Sequence, residues 1–143
     1  MVDPEQPWYW EGNVQRVAVA ALKSDGWTIR STADTATRRP GIDIVASLNE
    51  RALWVSVKGY PVGTPRTKPP TQARHWFSQA IFDLICYRTD NPTVELALCL
   101  PDIGATYRNL CIKSEWALMT LPASVIWITE QGSCRWNSLG EVT

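Results

Sequence analysis

The sequence predicts an α/β fold with elements in the order α-β-β-β-α-β-α-β-β, and three observations carry it. Apolar residues recur at helical spacing over 8–25 and again over 71–88. Two short β-type stretches, 42–47 and 52–58, flank the turn Leu48-Asn49-Glu50-Arg51 and read as a hairpin. An almost unbroken apolar run, 94–100, follows the helix breaker Asn91-Pro92 and reads as an internal strand.

In the first helix Val14, Val17, Ala18, Ala21 and Leu22 form one apolar face, closed by Gly26 just past the end. Residues 27–30 alternate as a short strand, and 31–41 hold turn formers and charge. After the hairpin, 59–70 contains two Gly and four Pro and cannot form a regular element. Thr71 is the expected cap of the next helix, whose apolar positions are Trp76, Phe77, Ala80, Ile81, Leu84 and Ile85. Residues 103–121 read as mostly helical, 124–130 as a strand, and Gly132 turns the chain into a last strand near Cys134 to Trp136.

The chain has 143 residues, 45% apolar and 20% charged, which suits one domain, residues 1–143, with a core that needs no staple. That composition excludes disorder, collagen-like repeats and coiled coils. No apolar run reaches the ~18 residues that span a bilayer. The opening MVDPEQPWYW lacks a signal-peptide pattern, so the expectation is a cytoplasmic protein with no membrane partner. Cys86, Cys99, Cys111 and Cys134 include no CxxC, and three lie in apolar stretches, as reduced core thiols do. With His75 as the one histidine, a His-based zinc site or hydrolase triad is poorly supplied. Trp27, Trp54, Trp76, Trp116 and Trp127 fall on core or semi-core positions. Trp8, Tyr9 and Trp10 are read first as a staple at the helix entry, with base stacking or a dimer patch as alternatives.

Lysines and arginines match acids, 14 to 14, but the charge is unevenly spread. Residues 30–74 hold eight basic groups against three acids. Such a concentration suggests a surface facing a polyanion. Arg38 and Arg39 lie in the first loop, and Arg66, Lys68 and Arg74 follow the hairpin. Mobile cations beside a reactive edge suit contacts to nucleic-acid phosphates.

The hairpin carries the chemistry. Asp43 opens one strand and Lys58 ends its partner, with Trp54, Ser56 and Lys58 on one side of that second strand. Phosphodiester hydrolysis needs a carboxylate to hold a divalent metal and a lysine to handle water or steady developing charge. Glu11 and Gln15, four apart on the first helix, share a face that can bring a second carboxylate to that edge. Glu11 and Asp43 would then share a hard, oxygen-liking ion such as magnesium. The alternative for Glu11 is an ordinary first-turn acid opposing the helix dipole.

Glu11 on an opening helix, Gly41-Ile42-Asp43-Ile44 on one strand and Ser56-Val57-Lys58 on the next, followed by a helix near Gln72, resemble the PD-(D/E)XK nuclease superfamily. The piece around Arg30-Ser31 through Lys58 looks like small Holliday-junction resolvases and Mrr-type restriction nucleases. The resemblance implies a restriction endonuclease-like α-β-β-β-α-β core, a central mixed sheet flanked by helices. It implies cleavage of DNA with magnesium, or manganese, held by Glu11 and Asp43. Lys58 would be the catalytic lysine, with Gln15 a hydrogen-bonding group and Ser56 on the signature strand.

Ser56 is a departure, because the superfamily has an acid there. Some of its restriction enzymes carry Ser-x-Lys and supply the acid from the following helix, a place that here falls around the neutral Gln72. Asp83, about three turns into that helix, reads as too far away, leaving Glu11 as the nearest second acid. An impaired site opens the alternative of a weakened nuclease-fold protein that binds nucleic acid or a protein partner. A homodimer or larger complex fits either reading.

Overall fold

The computed structural model describes residues 2–33 and 41–137. The order of elements is the expected one: α1 (Glu11–Ser24), β1 (Thr28–Thr32), β2 (Ile44–Leu48), β3 (Arg51–Val57), α2 (Pro69–Asp90), β4 (Glu95–Pro101), α3 (Thr106–Lys113), α4 (Glu115–Thr120), β5 (Ala123–Ile128) and β6 (Cys134–Asn137). The six strands form one mixed sheet in the order β1-β2-β3-β4-β5-β6. β3, β4 and β5 run parallel, and the outer pairings are antiparallel.

Parallel neighbours need crossovers: α2 joins β3 to β4, and α3 with α4 joins β4 to β5. Both crossovers pack on one face, around Phe77, Leu84, Leu98, Leu100, Tyr107 and Trp127. Crossovers of one hand that step the same way along a sheet lie on the same face. The opposite face is covered by α1, whose Val14, Ala18 and Leu22 meet Ile44, Val55, Cys99 and Ile126. The four cysteines are free thiols, with Cys99 and Cys111 buried.

Several boundaries and positions differ from expectation. α1 begins at Glu11 rather than at residue 8, with Trp10 as its N-cap in an extended conformation. The Trp10 ring folds back over Gly12, leaving no room for a Cβ there. α2 begins at Pro69 rather than behind a Thr71 cap. Proline's fixed φ and missing N–H suit the first helical turn. Ile85 is 47% exposed because the inward stripe of α2 is Ala73, Phe77, Ala80, Leu84 and Tyr87. Trp116, expected in or near the core, is 73% exposed. Leu118 takes the inward position of α4, and a residue two before it points to the far side of the helix.

Arg88 ties the lower end of this crossover together. Its guanidinium donates to the carbonyls of Leu121 and Val94 at 2.7 Å, Asn91 at 3.2 Å and Pro122 at 3.3 Å. One cation thus joins the end of α2, the start of β4 and the entry to β5. Arg88→Met keeps the aliphatic stem and removes these bonds. It should lower unfolding stability by about 3 kcal/mol, since bonds to charged groups exceed neutral ones. Urea titration checks this as a fall in midpoint at constant slope.

Candidate active site at the strand edge

The site lies where β3 leaves the sheet. The β2–β3 register pairs Ile44 with Val55, which brings Asp43, just before β2, beside the end of β3. The Asp43 Oδ2 accepts the Val57 backbone N–H at 2.7 Å. Lys58 continues past β3, and its own N–H donates to the Cys99 carbonyl at 3.0 Å. Ser56 is fully buried beneath it.

Glu11 reaches this edge through a close approach of two backbones. A Cβ on Gly59 would lie 2.5 Å from the Glu11 nitrogen and 2.7 Å from the Tyr9 carbonyl oxygen, so only glycine lets the strand exit touch the start of α1. Tyr60 N–H donates to Tyr9 C=O at 2.9 Å, and the buried Tyr107 hydroxyl donates to Gly59 C=O at 2.7 Å. Tyr9, Tyr60 and Tyr107 pack edge to face in succession beside this contact. The Gly59 N–H in turn faces the Glu11 carboxylate.

Asp83 is the correction to the sequence reading. Its Oδ2 accepts the Ser56 hydroxyl at 3.4 Å and lies 3.9 Å from the Lys58 ammonium. The expectation put the replacement acid around Gln72, in the first turn of α2, and Asp83 about three turns too deep. In fact α2 begins far from that edge, with on the order of 20 Å of helix before Asp83. The position level with Ser56 is therefore deep in the helix. The signal was present in the sequence: Gln72, Gln79 and Asp83 share one face of α2.

Gln15 does not join the cluster through the bonds it makes. It is 8% exposed, and its Nε2 donates to the Ala33 carbonyl at 3.0 Å. Ala33 N–H bonds the Asp43 backbone carbonyl at 2.8 Å. Gln15 thus braces the chain that carries Asp43. Arg66, Lys68 and Arg74 are exposed, and none forms an ion pair with another described residue. Arg38 and Arg39 lie outside the described residues.

Burial pushes the Glu11 carboxyl above its ordinary range; Lys58 and the Gly59 N–H pull it back, while the charges of Asp43 and Asp83 push it further. Burial also raises Asp43, against the Val57 N–H and Lys58. The Tyr87 hydroxyl is raised by burial and by the charges of Asp43 and Asp83, and stays protonated. Three carboxylates around one lysine leave the edge net negative. Among the described residues, no three His, Cys, Asp or Glu side chains converge as a ready-made metal cluster. Glu11 and Asp43 nevertheless offer two hard oxygen donors whose repulsion a cation would relieve. Magnesium is commonly held by one or two carboxylates, with water and phosphate oxygens completing its shell. The donor set fits such an ion.

The raised carboxyls have a sign that can be measured. Below their unfolded-state values both states are protonated and burial costs nothing; above the raised values both are ionised and the full cost is present. Glu11→Gln and Asp43→Asn should therefore raise the melting temperature of metal-free protein at neutral pH. A gain of a few degrees corresponds to about 1 kcal/mol for a domain of this size. The gain should fade as pH falls toward the ordinary carboxylate range. Calorimetry at neutral and acid pH checks this, and a lower melting temperature at neutral pH would contradict it.

No protein-family model matches the chain, and no curated protein matches it. No helix among the described residues is long and apolar enough to cross a membrane. Two solved structures match most of its length: an XisH family protein from Nostoc punctiforme and an fdxN element excision controlling factor protein from Anabaena variabilis. Each is 18% identical with a TM-score of 0.55, and the match covers 86% of this chain and 97% and 96% of theirs. The chain thus has structural neighbours among XisH family proteins and the α/β fold expected of it, a central mixed sheet flanked by helices.

Proposed function

We propose that the chain is a divalent-metal-dependent nuclease acting on DNA. The observation that carries this reading is the position of Asp83. It supplies a carboxylate beside Lys58 where Ser56 leaves the strand without one. Glu11 from α1, Asp43 from just before β2 and Asp83 from α2 then face one lysine past the end of β3. The name of one structural neighbour ties that protein to control of excision of the fdxN element, which accords with DNA as the substrate.

In this reading Glu11 and Asp43 hold magnesium, or manganese, which would supply charge neutralisation at the phosphate and an activated water. Lys58 steadies negative charge on the phosphoryl oxygens as water attacks phosphorus and the bond to the leaving oxygen breaks. Asp83 faces the Lys58 ammonium and takes the buried Ser56 hydroxyl as its own hydrogen-bond donor. Gly59 keeps Glu11 in place. Arg66, Lys68 and Arg74 would meet backbone phosphates outside the site. The second reading, a member that binds without cutting, is favoured by the absence of a ready-made metal cluster among the described residues.

Moving the acid discriminates between them. Asp83→Ser should lower magnesium-dependent cleavage about 10²–10³-fold, the usual loss for one well-placed electrostatic group. Ser56→Glu in the Asp83→Ser background should restore part of it by returning the acid to the strand. Ser56→Glu alone should not improve on wild type, because a fourth carboxylate would then crowd a lysine that already faces three. Cleavage of linear, circular and branched DNA across a magnesium titration, with Lys58→Ala as the blank, gives the result. Wild type no better than the blank on every substrate would select the binding-only reading.

A further inference from the structure

A second cluster of charge sits along the same sheet edge. β3, β4 and β5 are parallel, so their C-terminal ends share an edge, and β6 begins there with Cys134 paired to Ile128. Asp102, just beyond β4, is fixed by its N–H to the Ile128 carbonyl at 2.8 Å. Its carboxylate takes two bonds from Arg108, one of them Nε to Oδ1 at 2.7 Å, and lies 3.7 Å from Arg135. α3, which carries Arg108, is joined to the segment after Lys58 by the bond from the Tyr107 hydroxyl to the Gly59 carbonyl.

Stability needs only one of these two cations, since Arg108 alone pairs the nearly buried Asp102 carboxylate through two hydrogen bonds. The Asp102 side chain is 11% exposed, whereas those of Arg108 and Arg135 are 50% and 52% exposed. One nearly buried carboxylate thus holds the Arg108 guanidinium by two bonds and faces that of Arg135 through charge, and both cations remain in water with one positive charge in excess. The second pair, with Arg135 at 3.7 Å, adds little. Arg108 lies in the first turn of α3, where a cation opposes the helix dipole, and a second arginine adds repulsion. A guanidinium held by two of its donors still presents others outward, in the planar geometry that phosphate oxygens accept.

We infer that Arg108 and Arg135, oriented by Asp102, anchor a backbone phosphate of the nucleic-acid strand cut at Lys58. The inference rests on the nuclease reading and extends it to the shape of the substrate. Three strand spacings separate β3 from β6, roughly 14 Å. A duplex strand carries one phosphate per ~3.4 Å of axis, so the anchor meets a phosphate about four nucleotides from the scissile one. The substrate is therefore a polynucleotide lying across the strand ends, not a mononucleotide or a short fragment. The anchor also answers an electrostatic need. Glu11, Asp43 and Asp83 outnumber Lys58, so the attraction that brings a polyanion to this edge must come from cations outside the site.

The test is binding of a fluorescent DNA duplex in EDTA, which removes any metal and prevents cutting, measured across a salt titration. Arg108→Gln with Arg135→Gln should reduce the log–log slope by about 1, the loss of one phosphate contact. Adding Asp102→Asn removes the carboxylate left unpaired and should give the same slope with the fold intact by circular dichroism. Lysine at both positions keeps the charge and should retain the wild-type slope. With magnesium, the double glutamine variant should raise KM for DNA and leave kcat unchanged. An unaltered slope in the double and triple variants, with wild type binding DNA, would overturn the anchor alone. Slope loss without cleavage by wild type would support the anchor and sink the nuclease reading. Failure of wild type to bind DNA would overturn both.

Discussion

The contact of Gly59 with the start of α1 is the constraint on which the site depends. α1 packs on one face of the sheet and α2 on the other, so their carboxylates have no common surface except at the strand ends. The backbone passes from β3 directly against Tyr9 and Glu11, and a methyl group at Gly59 would meet main-chain atoms rather than a yielding side chain. Overpacking of that kind costs about 1–3 kcal/mol even where neighbours can shift. The Tyr107 hydroxyl bonds the Gly59 carbonyl from α3, and the Tyr60 amide bonds the Tyr9 carbonyl. Three separate parts of the chain therefore fix the place of one carboxylate.

The net negative edge follows from that arrangement. Burial and mutual repulsion raise Glu11 and Asp43, which is a cost to the fold at neutral pH. Strained titration of this kind collects where chemistry is done, although structural ion-pair networks produce it as well. Here the network is too sparse to offset it. The Lys58–Asp83 distance of 3.9 Å is loose, and Asp83 is already shared with Ser56. The other ion pairs among the described residues, Arg51–Glu95 and the Asp102 cluster, join different residues.

Most of the fold was legible because its signals are local. The apolar stripe of α1, the hairpin turn and the unbroken run of β4 each reflect the period of one element. Boundaries near proline were less legible: Pro69 begins α2 where Thr71 offered a familiar cap. The site was legible where it depends on strand alternation, which sets Ser56 and Lys58 on one side. It was illegible where it depends on how far a helix stands beyond a sheet. Asp83 was visible as an acid on the correct face of α2, but its height is set by the irregular stretch 58–68, whose path no periodicity describes. Gly59 was hidden for a related reason, since a close approach of two backbones leaves no pattern in either one.

The order of the strands in the sheet is also their order along the chain. Each strand emerging from the ribosome can therefore add to the edge of the one before it, and none has to be inserted between two already paired. α1 is the exception to this sequential assembly. Its apolar face is completed by Ala97 and Cys99 of β4 and by Ile126 and Ile128 of β5. α1, synthesised before both of those strands, thus waits, partly uncovered, until β5 has been made. During synthesis at about 5–20 residues per second that interval lasts several seconds. A nascent chain halted before β5 would expose the face of α1 that carries Val14, Ala18 and Leu22, giving chaperones and proteases a means of recognising the incomplete protein.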